Sequence, residues 1–143
     1  MELREATQED WEYMNAHSVS RGIQKKIPER VEYVYTLEHD GVPLMVGGFR
    51  LLNASTSWCW FDLSDKAGEH IYTVYRIIKE WGDKFVEDHN ITRLQTYVKV
   101  NFPEAIRVVE HCGFVKEFEK PMKNFVDGTD AFLYVRFKEI KDN

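Results

Sequence analysis

The sequence predicts an α+β fold: a mixed, mostly antiparallel sheet of six to seven strands, with a central β-α-β unit and helices on both faces. Three observations lead there. Two Asp-Gly pairs, Asp40-Gly41 and Asp127-Gly128, each separate apolar runs, the pattern of a β-hairpin closed by a tight turn. Apolar residues from Ile71 to Phe85 recur at steps of three and four, the period of an amphipathic helix. That helix lies between two strand-like runs, SWCWFDL and TRLQTYVKV, so strand, helix and strand follow one another in a chain otherwise made of hairpins.

The totals agree with one domain spanning residues 1–143. The length is close to the commonest domain size, and 43% hydrophobic with 14% aromatic residues supplies one core and excludes disorder. A net charge of −5 disfavours nucleic-acid or anionic-membrane binding, which needs a basic face. Arg21, Lys25, Lys26 and Arg30 make a dense basic stretch, but Pro28 and Glu29 interrupt it, and a solvated face is its plainest reading. Cys59 and Cys112 sit in apolar surroundings without a CxxC partner, so they read as reduced core thiols of a cytoplasmic protein. The histidines show no metal-ligand spacing. The N-terminus has no apolar segment of a secretory signal, and the longest apolar runs fall well short of the ~18 residues of a membrane span.

Taken in order, ELREA is a strand. Thr7 and Asp10 then stand three apart as a capping pair for a helix whose Trp11 and Met14 share one side. SVSRGIQKKIPERVEYV holds a Gly and a Pro and reads as a loop with a broken second helix. YVYTLE and VPLMVGGFRLL form the first hairpin, and NAST punctuates. In SWCWFDL, Trp58, Trp60 and Asp62 alternate with Cys59, Phe61 and Leu63 across the two faces of a strand. After the polar SDKAGEH comes the amphipathic helix, roughly 70 to 88, and then TRLQTYVKV. NFPEAIRVVEHCGF is a short helix, with Pro103 in its first turn and Gly113 as the residue that ends it. FVKEFEKPMKNF and AFLYVRF close the chain as a hairpin. FLYVRF offers an edge on which a second copy could pair to make a homodimer.

This order resembles the GCN5-related N-acetyltransferase (GNAT) superfamily, whose fold is the acyl-CoA N-acyltransferase fold. Members commonly open on a strand with Arg-x-Ala-Thr and a helix, as LREATQED does, and close on Asn, Ala-Ile, an apolar helix and Gly-Phe. Asn101, Ala105, Ile106, Gly113 and Phe114 match that pattern, with Asn101 one residue early. More narrowly, CWFDLSD and the late strand-helix-Gly segment resemble the degenerate GNAT-like proteins of short-tailed phages.

The resemblance implies acetyl-CoA as cofactor and an amine of a protein or small molecule as acceptor. Family members hold the pyrophosphate on a glycine-containing loop at the start of the main helix, where N–H groups and the helix dipole attract phosphate. The matching residues are Lys66, Ala67, Gly68, Glu69 and His70, with Phe61 and Leu63 of the preceding strand and Asn101 as further cofactor contacts. Asp65 stands where the family has Gln or Arg, and with Glu69 it faces an anion. The alternative for this stretch is a solvated helix start capped by Ser64 or Asp65. Asp62, at the strand end, is the candidate base. Val109 stands where many members carry the tyrosine that acts as acid, and Tyr97 is the substitute candidate, although a strand tyrosine is more often packing.

Two functions follow. One is an acetyl-CoA-dependent N-acetyltransferase. The other is a catalytically degenerate GNAT-fold module, phage-encoded, that binds a host protein or belongs to the virion and works in the host cytoplasm or the particle.

Overall fold

The computed structural model describes residues 1–19 and 33–138. Its elements are β1 (Glu2–Glu5), α1 (Gln8–His17), β2 (Tyr33–His39), β3 (Val42–Leu51), β4 (Thr56–Leu63), a 3-10 turn (Ala67–His70), α2 (Ile71–Asp88), β5 (Arg93–Lys99), α3 (Pro103–His111), β6 (Val115–Lys116), β7 (Met122–Val126) and β8 (Thr129–Phe137). The hydrogen-bonded strand order is β1-β2-β3-β4-β5-β8-β6, with β7 also paired to β8. This is the expected mixed α+β sheet. It has eight strands because the first arm of the closing hairpin is two strands, β6 ending at Lys116 and β7 beginning at Met122, just after Pro121, which has no N–H for a ladder. The basic stretch Arg21–Arg30 and the broken helix expected around it lie outside the described residues. No helix among the described residues is long and apolar enough to cross a membrane.

Two compact units make up the chain. Met1–Arg50 and Cys59–Val74 form the first, Leu51–Trp58 and Tyr75–Asn143 the second.

In the first unit, β1 pairs antiparallel with β2, from Glu2↔Glu38 to Glu5↔Tyr35, and β2 pairs antiparallel with β3. The β2–β3 turn is the expected one: Asp40 (φ 52°) and Gly41 (φ 76°) are both left-handed, which matches the twist of a two-residue hairpin. The Thr7 side chain accepts from the Asp10 N–H and the Asp10 side chain accepts from the Thr7 N–H, so the capping box read from the sequence is complete. Trp11 and Met14 are buried against Val46, and the Trp60 ring meets Trp11 edge-on at 5.6 Å. Arg4 of the REAT motif bonds Asp10 and Glu38 and so ties β1 to α1 and β2.

In the second unit, Thr56, Ser57 and Trp58 of β4 pair in parallel with Arg93, Leu94 and Gln95 of β5. Parallel neighbours need a crossover, which α2 supplies. Gly82 lies inside α2, and a Cβ there would stand 3.4 Å from Arg136 Nη1. The helix therefore admits the arginine arm, which bonds Asp83. The α3 terminus is a Schellman motif. The Phe114 N–H reaches the Val109 carbonyl, the Gly113 N–H reaches the Glu110 carbonyl, Gly113 sits at φ +90°, and the Phe114 ring is buried.

One expectation fails in this unit. FLYVRF belongs to β8, and β8 has partners on both sides: β5 along Ala131–Phe137, and β6 and β7 on the other flank. It offers no edge to a second copy.

Candidate functional site

The end of β4 carries the polar constellation of the first unit. Main-chain groups of successive strand residues point to opposite edges. The Ser64 N–H donates to the Leu44 carbonyl of β3 at 2.9 Å, so Leu63 and Asp65 face the other way. There the Leu63 carbonyl accepts from the Val19 N–H at 3.1 Å, and the Asp65 N–H donates to the His17 carbonyl at 3.2 Å. Ser18 forms an antiparallel bridge with Ser64 between these two bonds. His17, the last residue of α1, and the two residues after it thus lie along the end of β4.

Side chains add to this contact. Ser18 Oγ donates to Asp62 Oδ1 at 2.7 Å, and Asp62 is 8% exposed. His17 Nδ1 lies 3.5 Å from Asp65 Oδ2, and the His17 ring stacks on Tyr13. The sequence singled out Asp62. It gave no sign of His17, Ser18 or Val19, whose part is played mostly by main-chain atoms.

The stretch that leads into α2 is regular. The Ala67 N–H donates to the Ser64 carbonyl at 3.1 Å, and Ala67 is buried. Lys66 and Glu69 are exposed, and the His70 ring meets His39 edge-on at 4.7 Å. Neither Ser64 nor Asp65 caps the turn: Ser64 Oγ donates to the Pro43 carbonyl, and the Asp65 carboxylate turns to His17. Lys66 holds the capping position without a side-chain bond. Nothing lies within 4 Å of the place where a Gly68 Cβ would stand, and its backbone is outside the left-handed region. Packing within the chain does not require a glycine there.

The other candidates lie in the second unit. Tyr97 is exposed on β5, and its ring meets Trp58 and Phe125 edge-on at 5.9 Å and 5.1 Å. Asn101 is exposed in the turn before α3, where Phe102 holds the N-cap position. Val109 is buried in α3, so a tyrosine at this position would overfill a packed face. Next to it, Glu110 accepts from the hydroxyl of the buried Tyr134 at 3.0 Å, and His111 stacks on Tyr75. Cys59 and Cys112 are both buried, and burial pushes the Cys112 thiol up to about 11.

No family model and no curated protein matches the sequence. Solved structures do match. The ribosomal-protein-S18-alanine N-acetyltransferase of Escherichia coli superposes with a TM-score of 0.76 at 13% identity, over 99% of this chain and 96% of that one. A mutant of the spermidine N-acetyltransferase SpeG of Vibrio cholerae gives 0.75 at 16% identity, over 96% and 95%. Ard1 of Thermoplasma volcanium gives 0.73 at 17% identity, over 95% and 96%. The chain has the GNAT fold.

Acetyl-CoA is the group that this fold implies. Gly68 leaves room for a phosphate to approach the main chain, and Lys66 and His70 stand two residues to either side of it in sequence. The strand residues do not fit the cofactor as they stand. The Leu63 carbonyl and the Asp65 N–H are taken by residues 17–19, and Asp65 and Glu69 add two carboxylates to the helix start. Each carboxylate repels an anion by about 1 kcal/mol at a well-solvated contact.

Proposed function

We propose that this chain is an acetyl-CoA-dependent N-acetyltransferase that acts on an amine of a protein or small molecule. The observation that carries the reading is the short β4–β5 ladder. Its last pair among the described residues is Trp58↔Gln95, although β4 continues to Leu63 and β5 to Lys99. A parallel ladder of this length occurs in a chain that superposes on N-acetyltransferases over almost its whole length.

When bound, acetyl-CoA supplies the activated acetyl group. In this reading Asp62 is the base that takes the amine proton, held by the Ser18 hydroxyl, which donates to one of its oxygens. In the first unit Phe61, Leu63, Lys66, Ala67, Gly68, Glu69 and His70 are the proposed cofactor contacts, and in the second unit Asn101 is. Tyr97 is the acid. Calorimetry with acetyl-CoA tests the reading, and silence at millimolar ligand removes it.

A second reading has one observation in its favour. The bonds on Leu63 and Asp65 close main-chain positions that a cofactor would use, as expected of a GNAT-fold module that has given up catalysis for protein binding. The likeness of CWFDLSD to phage proteins supports a phage-encoded module with a host or virion partner. That reading expects Asp62→Asn to leave biological activity intact and a pull-down to recover a protein.

A further inference from the structure

We propose that His17–Val19 form a releasable clasp on β4, and that an extended, amide-bearing ligand arm such as that of acetyl-CoA must displace it in order to bind. The inference rests on the acetyltransferase reading for the identity of the ligand. It rests on the main-chain geometry for the competition.

The clasp uses the groups that such a ligand needs. A ligand strand that pairs with the outer edge of β4 requires an acceptor at Leu63 and a donor at Asp65, two residues apart and on the same edge. The chain fills both, with Val19 N–H on Leu63 O and Asp65 N–H on His17 O. The ligand and residues 17–19 therefore exclude one another at these atoms.

The clasp is also built to open. Among the described residues it includes two main-chain bonds, a hydroxyl–carboxylate bond and a His17–Asp65 contact whose side chains are 43% and 58% exposed. An exposed pair of this kind adds little holding power. Solvent-exposed contacts are the marks of a segment that opens locally while the rest of the fold stays intact. The anchor at its N-terminal side is separate: Ser18 caps α1 through its own N–H on the Met14 carbonyl, a bond that does not involve β4.

Two measurements test the clasp. In Val19→Pro the N–H that reaches Leu63 is gone. Ser18 already has the extended backbone (φ −64°, ψ 137°) that a residue before proline favours. This variant is expected to bind acetyl-CoA about threefold to tenfold more tightly than the wild type, the worth of one main-chain bond. In the wild-type chain, hydrogen exchange at saturating acetyl-CoA is expected to show the Val19 amide losing protection. The Asp65 amide keeps its protection, since its acceptor passes from His17 to the ligand. If acetyl-CoA binds and the Val19 amide stays protected, or if folded Val19→Pro binds no more tightly, the clasp is overturned and the transferase reading stands. Binding to Val19→Pro alone supports the clasp in its strongest form, and binding to neither chain overturns both. Circular dichroism establishes that the variant is folded, and the exchange measurement decides the matter without it.

Discussion

Arg4 holds both carboxylate oxygens of Asp10, Nη1 on Oδ2 at 2.7 Å and Nη2 on Oδ1 at 2.8 Å, across the step from β1 into α1. Asp10 also accepts from the Thr7 N–H at 2.7 Å and from Thr36 Oγ at 2.9 Å, and Arg4 reaches Glu38 at 3.0 Å. The Arg-x-Ala-Thr run thus has a structural cause of its own: Arg4 ties the first helix to two strands and Thr7 caps it.

The Asp10 carboxylate sets an acid limit on stability. Burial pushes its pKa up, but the bonds from Arg4, the Thr7 main chain and Thr36 outweigh burial and hold it at about 2, below the ordinary 3.8. The folded value is the lower one, so the contribution is complete above about pH 4 and is lost as pH falls toward 2. Asp10→Ala is expected to cost about 2 kcal/mol at neutral pH, because it removes the cap and leaves Arg4 with Glu38 as its remaining carboxylate. In urea titrations the gap between variant and wild type should narrow from pH 4 to pH 2; a constant gap would mean that the charge is not involved.

Tyr134 sets the opposite limit. Burial and the hydrogen bond to Glu110 push its hydroxyl up to about 12 from 10. The folded value is the higher one, so the unfolded chain loses this proton first, and stability falls as pH rises from about 10 toward 12. Ultraviolet titration of the native protein should show one tyrosine that ionises late. In Tyr134→Phe that late step should be absent.

Two glycines separate folding from binding. Gly113 is left-handed at φ +90°, so Gly113→Ala is expected to cost about 1 kcal/mol or more and lower the melting temperature. Gly68 has ordinary backbone and open space around it, so Gly68→Ala should leave the melting temperature unchanged or raise it by a few degrees. If a phosphate approaches the main chain at Gly68, the same substitution should weaken acetyl-CoA binding, which calorimetry reads directly.

Asp62→Asn keeps the shape of the residue and its bond from Ser18, and under the proposed transferase reading it removes the base. Acetyl transfer is expected to fall by about a hundredfold to ten-thousandfold with the circular dichroism spectrum unchanged. An undiminished rate would move the base elsewhere.

The parts of the fold that were legible in the sequence are those written in side chains. The Asp-Gly turns, the Thr7–Asp10 box, the apolar stripe of α2 and the Pro103–Gly113 bounds of α3 each follow from residue types at fixed spacing. The edge assigned to FLYVRF was misjudged because strand order depends on which neighbour wins a ladder, and β8 wins three. At the candidate site, Asp62 stood out as a carboxylate at a strand end. The hold on Leu63 and Asp65 was hidden because it is made by amides and carbonyls that every residue has. The expected caps at Ser64 and Asp65 failed for a related reason, since distant partners, Pro43 and His17, claimed those side chains first.

The division of β4 at Trp58 and Cys59 bears on how the protein is made. The first unit has all of its residues once synthesis passes Val74, whereas Thr56–Trp58 must wait for Arg93–Gln95 before they find parallel partners. During translation, at about 5–20 residues per second, the nascent chain therefore spends a second or more with the β5-side edge of Thr56–Trp58 open. The open edge of these three residues is a brief invitation to a wrong neighbour, and a pause in synthesis between residues 74 and 93 would prolong it.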